Sequence, residues 1–462
     1  MKRILMAAAM LAAVAACGKK PADPAAKAEK PPVAKAAKSD GIERPSTDPF
    51  PSTYKPYPSS PVLITGATIL DGAGKRINNG AVLIEGGRIA AIGPQGSFQA
   101  PAGAATLNAA GKWVTPGIID IHSHLGVYAS PSADASSDGN EATSPNRADV
   151  WAEHSVWPQD PGFTRALAGG VTAMQILPGS ANLFGGRSVV LKNVPGRTVQ
   201  DMKFPGAPYG LKMACGENPK RVYGEKGGPS TRMGNVAGQR AAWIEAQDYR
   251  KKWDDYWKKA EAAKKSGKKG KAPDPPKRDL KLETLAGALR GDILVQNHCY
   301  RADEMAIVLD MAKEFGYKVT AFHHAVEAFK VADLLAKNNV CAVVWADWWG
   351  FKYEAYDSVR ENAALVAAQP GGCAIIHSDD ALGIQRLNQE VGKAMADGAR
   401  AGLRFAPEQA IGWITANPAK ALGVLKDVGT IEKGKMADVV VWTGDPFSVY
   451  SRAEKVFVDG AL

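Results

Sequence analysis

His122 and His124 stand one residue apart at the end of the run Gly117-Ile118-Ile119-Asp120-Ile121-His122-Ser123-His124. The residues before them are apolar and β-branched apart from Gly117 and Asp120, which predicts a buried strand. Alternate residues of a strand share a face, so both imidazoles leave the strand end together. Two neutral imidazoles converging on one point suit a borderline divalent cation such as zinc. The same pair would also satisfy an ordinary polar strand end, and only further ligands separate the two readings.

Further candidates close other apolar runs. Residues 211–217 end in Glu217, 293–298 in His298, 318–324 in His324 and 373–379 in Asp379. Of the seven histidines in the chain, all but His154 sit on these strand ends. Additional strands are predicted at 170–177, 188–193 and 340–347, with helical periodicity at 303–315, 328–337 and 358–369. Strands alternating with helices, and polar residues at each strand's C-terminal end, predict an α/β fold. It is a (β/α)8 TIM-type barrel carrying its site on the top face.

The motifs resemble the amidohydrolase superfamily, in the branch related to imidazolonepropionase. They are Val-Thr-Pro-Gly-Ile-Ile-Asp-Ile-His-Ser-His (114–124), Pro-Gly-Ser-Ala-Asn (178–182), Gly-Glu-Asn-Pro-Lys-Arg (216–221), His-Ser-Asp-Asp (377–380), Thr-Ala-Asn-Pro-Ala (415–419) and Gly-Thr-Ile-Glu-Lys-Gly-Lys-Met-Ala-Asp-Val-Val-Val (429–441). Their order along the chain carries the resemblance, which covers roughly 62–462. It implies a barrel over 116–426 and a small β-sandwich built from 62–115 and 427–462, both ends of the chain. Because Leu462 stands two residues after the Asp459-Gly460 turn, the final sandwich strand is expected either to be missing or to be cut off by a truncated sequence.

The resemblance also implies that His122, His124, Glu217, His298, His324 and Asp379 bind one or two divalent ions, most simply zinc. Many relatives place a carboxylated lysine on the strand that here ends in Glu217. Lys212 lies about 17 Å from Glu217 at ~3.3 Å per residue, too deep to reach the top, so Glu217 is expected to bridge instead. Strand alternation lets only one of His323 and His324 point inward; His324 fits the family spacing, and His323 is expected to pack outward.

The implied reaction is hydrolysis of a C–N bond in an amide or cyclic amide, by water that the cation activates near neutral pH. Asp379 is the expected general acid and base. His377, two residues earlier, either supports Asp379 or makes only a supporting hydrogen bond. Lys220, Arg221, Tyr300 and Arg301 follow the ligand strands, where barrel loops line the mouth, and an arginine there could clamp a substrate carboxylate. Trp348-Trp349 would supply an apolar wall. The alternatives are a metallodipeptidase or N-acyl amino acid hydrolase, a deaminase, and, in a different class, a catalytically inactive ligand-binding lipoprotein.

Composition bounds the partners. Lys2-Arg3, the apolar stretch 4–14 and Val14-Ala15-Ala16-Cys17 read as a lipoprotein signal over 1–16 with Cys17 as the lipid-bearing residue. Gly18 favours the outer membrane, so the chain is expected to be exported, anchored to a membrane and facing the periplasm. Residues 17–60, rich in Lys, Ala and Pro, are expected to form a disordered tether. The net charge of +10 resides in residues 1–61 and in the basic insertion 249–281, leaving a mildly acidic body. No nucleic-acid module accompanies the charge, so nucleic acid is not an expected partner. The insertion opens as a helix with Trp253, Tyr256 and Trp257 and decays into a lysine-rich exit; as a whole it reads as a solvated surface excursion or a contact to anionic lipid. Cys215, Cys299, Cys341 and Cys373 are expected to be buried and unbridged. The glycine-rich loop 178–186 is either a pocket wall that offers amides to an anion or a tight turn.

Overall fold

The computed structural model describes residues 46–265 and 273–462. The lipoprotein signal, Cys17 and most of the expected tether therefore lie outside the described residues. Among the described residues no helix is long and apolar enough to cross a membrane.

Two sheets organise the body. Strands β1 (Val62–Leu70), β2 (Arg76–Glu85), β3 (Arg88–Pro94), β4 (Ala105–Asn108) and β5 (Trp113–Pro116) come from the N-terminal side. Strands β14 (Val439–Trp442) and β15 (Ala453–Phe457) join them from the C-terminal side, in the order β15-β14-β5-β1-β2-β3. Strands from both sides of the barrel thus pair in one branched sheet. Bulges within β1 let Val62–Thr65 pair with β4 while Thr68 and Ile69 pair with β5.

The second sheet holds β6 (Ile118–Ser123), β7 (Val171–Ile176), β8 (Phe184–Lys192), β9 (Gly210–Ala214), β10 (Leu294–Cys299), β11 (Val319–His324), β12 (Cys341–Val344) and β13 (Ala374–Ile376), neighbours in chain order. It departs from an all-parallel barrel at β8, which runs antiparallel to both β7 and β9. The reason is loop length. Only residues 177–183 join β7 to β8, and a parallel neighbour would need a crossover of about a dozen residues. The ends of the first and last strands meet through one side-chain and one backbone hydrogen bond: Ser378 Oγ donates to Asp120 Oδ2 at 2.5 Å, and the Asp379 amide donates to the His122 carbonyl at 3.1 Å. Burial pushes the Asp120 carboxyl up to about 7, against the pull of its hydrogen bonds from Ser378 and the His122 amide.

Helices flank the barrel: α1 (Pro161–Ala168), α2 (Val199–Met202), α3 (Glu217–Tyr223), α4 (Arg232–Lys265), α5 (Leu280–Arg290), α6 (Ala302–Phe315), α7 (Ala332–Lys337), α8 (Asn362–Ala367) and α9 (Leu387–Arg400). A buried ionic cluster ties the barrel to the composite sheet. Lys192 Nζ lies 2.7 Å from Asp438 Oδ1 and 3.2 Å from Asp459 Oδ2.

Three expectations need correction. The tether does not extend to residue 60, because residues 46–60 are fastened to the body: Lys203 Nζ donates to Asp48 Oδ1 and to the Phe50 carbonyl, both at 2.7 Å. The expected insertion begins midway along α4. Tyr256, Trp257 and Ala260 are buried, and with Trp253 they form an i, i+3, i+4, i+7 stripe instead of a solvated excursion. Residues 266–272, in its lysine-rich exit, lie outside the described residues. Finally, the cysteines are bridged, Cys215 to Cys299 and Cys341 to Cys373. The partners sit on adjacent strands, with Cα atoms 5.3 Å and 4.6 Å apart, well within disulfide reach.

Candidate metal centre

The end of β6 delivers the expected pair. His122 Nε2 and His124 Nε2 lie 3.5 Å and 3.3 Å from the same oxygen, Asp379 Oδ1. Asp379 follows β13 with φ +50°, a left-handed conformation that Asp adopts more readily than most residues. His324 Nδ1 is 3.9 Å from the other carboxylate oxygen. Two overlapping sets, His122/His124/Asp379 and His122/His324/His377, each bring three donor atoms within 4.8 Å of one another.

The donor set fits a divalent ion. His122 Nε2, His324 Nδ1 and both ring nitrogens of His377 are buried without a hydrogen-bond partner, and buried polar atoms left in that state call for an explanation. Nitrogen donors with one carboxylate are the chemistry of zinc and its neighbours. Burial holds His122, His298, His323 and His324 far below the usual histidine range and His377 at about 3, so these rings stay neutral. Burial also pushes the Asp379 carboxyl up, but the adjoining His124, with His377 and Lys212, outweighs this and holds it below the usual carboxylate range.

Hydrogen-bond logic fixes which nitrogen each ring presents. His124 Nδ1 donates to the Leu177 carbonyl at 2.8 Å, which leaves the Nε2 lone pair facing Asp379. For His122 the tautomer is set through two residues. Gln296 Nε2 donates to Thr320 Oγ1 and to the Ala421 carbonyl, so its Oε1 accepts from His323 Nε2 at 2.6 Å. Neutral His323 then has only a lone pair at Nδ1, and it accepts from His122 Nδ1 at 2.8 Å. His122 Nε2 is left as a lone pair.

His323 therefore does not pack outward. Alternation holds only while the backbone is extended, and φ is +68° at His324 and +35° at Ala325. The turn lets both consecutive imidazoles face the barrel interior. Lys212 is also not too deep. Its long side chain climbs until Nζ donates to the Pro178 carbonyl at 2.9 Å, beside the residue that holds His124. Burial drops its pKa to about 7 although Asp379 pulls it up, and its charge acts on His122, His298, His323 and His324.

Glu217 and His298 are placed differently from the rest. Glu217 opens α3 outside both donor sets, with Oε1 3.8 Å from Lys352 Nζ. His298 is buried against the cluster, its ring 4.6 Å from that of His324, but Nδ1 is engaged by Ser180 Oγ at 2.8 Å. The glycine-rich loop thus serves the site through Ser180, while the Gly179 and Ala181 amides are spent on Gly139 and Asn140. His377 lies within the cluster itself, a closer role than support for Asp379.

At the mouth, Tyr300 is buried beside His298 and His324, with rings 4.6 Å and 5.4 Å away. Burial pushes its phenol pKa far up, so it remains a hydrogen-bond donor. Arg301 closes on Asp303 through two bonds of 2.9 Å, whereas Arg221 is exposed and makes no hydrogen bond or ion pair among the described residues. Lys220 lines a cavity of about 690 Å³ with Glu217, Arg232, Arg301 and Glu354. Two residues unsuspected from sequence complete the wall. Trp345, directly after β12, stacks on His324 at 4.4 Å and on Trp348 at 5.1 Å. Lys352 reaches across the Tyr300 ring at 4.3 Å. Trp349 belongs elsewhere, donating to the Tyr356 carbonyl at 2.8 Å.

Residues 113–462 match the amidohydrolase family. The crystal structure of an amidohydrolase from Thermotoga maritima MSB8 is similar at TM-score 0.76 and 35% identity, over 87% of this chain and 98% of that one. The amidohydrolase tasK of Hapsidospora irregularis is 32% identical over 82% of this chain, which spans only 39% of that protein's length. An imidazolonepropionase from Agrobacterium fabrum is 24% identical, covering 82% of this chain and 88% of its own.

Proposed function

This chain belongs to the amidohydrolase family, and from that premise we propose that it is a metal-dependent hydrolase cleaving the C–N bond of a small amide, cyclic amide or dipeptide. The observation that carries the reading is the cluster of unpartnered imidazole nitrogens around Asp379 at the strand ends. An imidazolonepropionase among the relatives supports a cyclic or small amide as substrate. His122, His124 and Asp379 would hold one ion, and His324 and His377 offer nitrogens for a second. A divalent ion bound there supplies Lewis acidity and water activated near neutral pH.

The chain's own groups do the rest. Asp379, kept ionised, takes the proton of the attacking water and passes it to the leaving nitrogen. The Tyr300 hydroxyl donates to the carbonyl oxygen as negative charge develops on it. Trp345 and Trp348 keep one side of the site apolar. We assign Lys212, in preference to Glu217, the part of the lysine that relatives carboxylate. Its neutral amine adds to CO2 and releases a proton, giving a carbamate whose oxygens would help to hold a divalent ion. Burial beside the cluster and the fall of its pKa to about 7 support that addition.

An exported, membrane-anchored setting is part of this reading: the lipobox-like run before Cys17 supports it, and the two disulfides support an oxidising compartment. The test of the enzyme reading is metal analysis together with an amide panel. Stoichiometric metal is expected, with C–N cleavage lost to a chelator and restored by zinc, manganese or cobalt. Metal-replete protein holding no stoichiometric ion would overturn it.

A further inference from the structure

The charges around the mouth are unevenly paired. Arg232 lies between Glu304 and Glu354, with Nε 3.1 Å from Glu304 Oε2. Arg301 is taken by Asp303, and Lys330 by Glu327 and Asp357 at 2.9 Å and 3.0 Å. What remains is Lys352, Arg221 and Lys220, with Glu217 the nearest carboxylate to Lys352 and Glu354 and Asp379 acting on it more weakly. Lys352 is the most deeply placed of the three. Its side chain is 19% exposed, and its ammonium lies over the Tyr300 ring. It donates to Asn218 Oδ1 at 3.1 Å, and Asn218 Nδ2 lies 3.5 Å from His298 Nε2. An ammonium has three protons to donate, and the Glu217 oxygen at 3.8 Å is beyond hydrogen-bond range.

We propose that Lys352 selects the substrate's charge, anchoring a carboxylate on the half of the amide that lies over Tyr300 while Trp345 and Trp348 take an apolar remainder. The inference rests on the amide-hydrolase reading above and deepens it: the substrates are anionic amides, such as N-acyl or N-aminoacyl amino acids with a free carboxylate. The geometry supports it independently of any acid–base argument. A partly desolvated ammonium with one long ion pair and an unfilled donor, beside the exposed guanidinium of Arg221, leaves hydrogen-bond donors open where a substrate must enter. Burial lowers the Lys352 pKa, with Glu217 the largest opposing influence, so a second carboxylate would relieve the desolvation cost.

The experiment uses metal-replete protein and matched N-acyl amino acids and their carboxamides. Wild type is expected to favour the acid by about 30-fold or more in kcat/KM, the scale of a buried charge-assisted contact. Lys352→Gln should collapse the acid-to-amide ratio toward one, mainly through KM of the acid, and Lys352→Arg should restore much of it. An unchanged ratio in Lys352→Gln, or no acid preference in wild type, overturns the proposal. If no amide is cleaved, the hydrolase reading is what has failed, and binding still tests Lys352. A non-hydrolysable ketomethylene isostere ending in carboxylate should bind wild type about 30-fold more tightly than Lys352→Gln, and equal affinities overturn the proposal on that arm.

Discussion

Replacing Asp379 by Asn tests the centre of the argument, because the structure separates its chemical from its structural role. The residue has φ +50°, which Asn tolerates as well as Asp, whereas Ala there costs roughly 1–2 kcal/mol. Asp379→Asn should therefore fold normally, and Asp379→Ala should lose that increment, a fall in Tm of about 2–4 °C or less. The asparagine keeps one oxygen to face His122 and His124 but cannot take a proton at neutral pH. Losing a general base costs about 10²–10⁴ in turnover, which is ~3–5 kcal/mol of activation free energy. The assay is kcat on the best amide of a panel, with metal content and Tm measured on the same preparations. The reasoning is refuted if Asp379→Asn retains wild-type metal and more than about a tenth of kcat. Complete loss of metal would equally refute the separation, because the ligand role of Asp379 would then account for the lost turnover by itself.

Three further outcomes follow from named contacts. His323→Phe keeps an aromatic ring but removes the acceptor for His122 Nδ1, so metal affinity should weaken about 10- to 100-fold in chelator competition; unchanged affinity would show that His122 presents Nε2 without help. Lys212→Ala should lower metal stoichiometry and be partly rescued by formate or acetate, whereas Glu217→Gln should leave it intact. The reverse pattern would return the bridge to Glu217. Cys17→Ser should release soluble protein or leave an uncleaved precursor, and unaltered membrane fractionation without labelled fatty acid on wild type would dismiss the anchor.

The fold class and half of the centre were legible because local rules governed them. His122 and His124 obey strand alternation, and Asp379 closes a recognisable strand. Where side chains travel or strands choose neighbours, the sequence was silent. Lys212 looked remote because only its backbone depth could be counted, and its side chain makes up the difference. The cysteines looked unbridgeable because the pairs on adjacent strands were not recognised before the register was known. Lys352 and Trp345 carried no signal at all, since a loop's path over a barrel mouth depends on contacts distant in sequence. The length of the loop between residues 177 and 183 did carry the antiparallel turn of β8, and counting those residues would have found it.

The left-handed residues explain both the main failure and the design of the site. His324 and Asp379 belong to the small set of non-glycine residues with positive φ, at +68° and +50°. Such conformations persist only where the surroundings enforce them. Here the enforcement is visible: the Asp379 amide is tied to the His122 carbonyl, and the His324 ring is stacked under Trp345. Extended backbone would send alternate side chains to opposite faces and leave His323 or His324 outside. Turning the chain at the strand end places His323 beneath, aligning His122, while His324 joins the donor set above. One local departure from strand geometry thus gives the centre both a candidate ligand and the group that orients another.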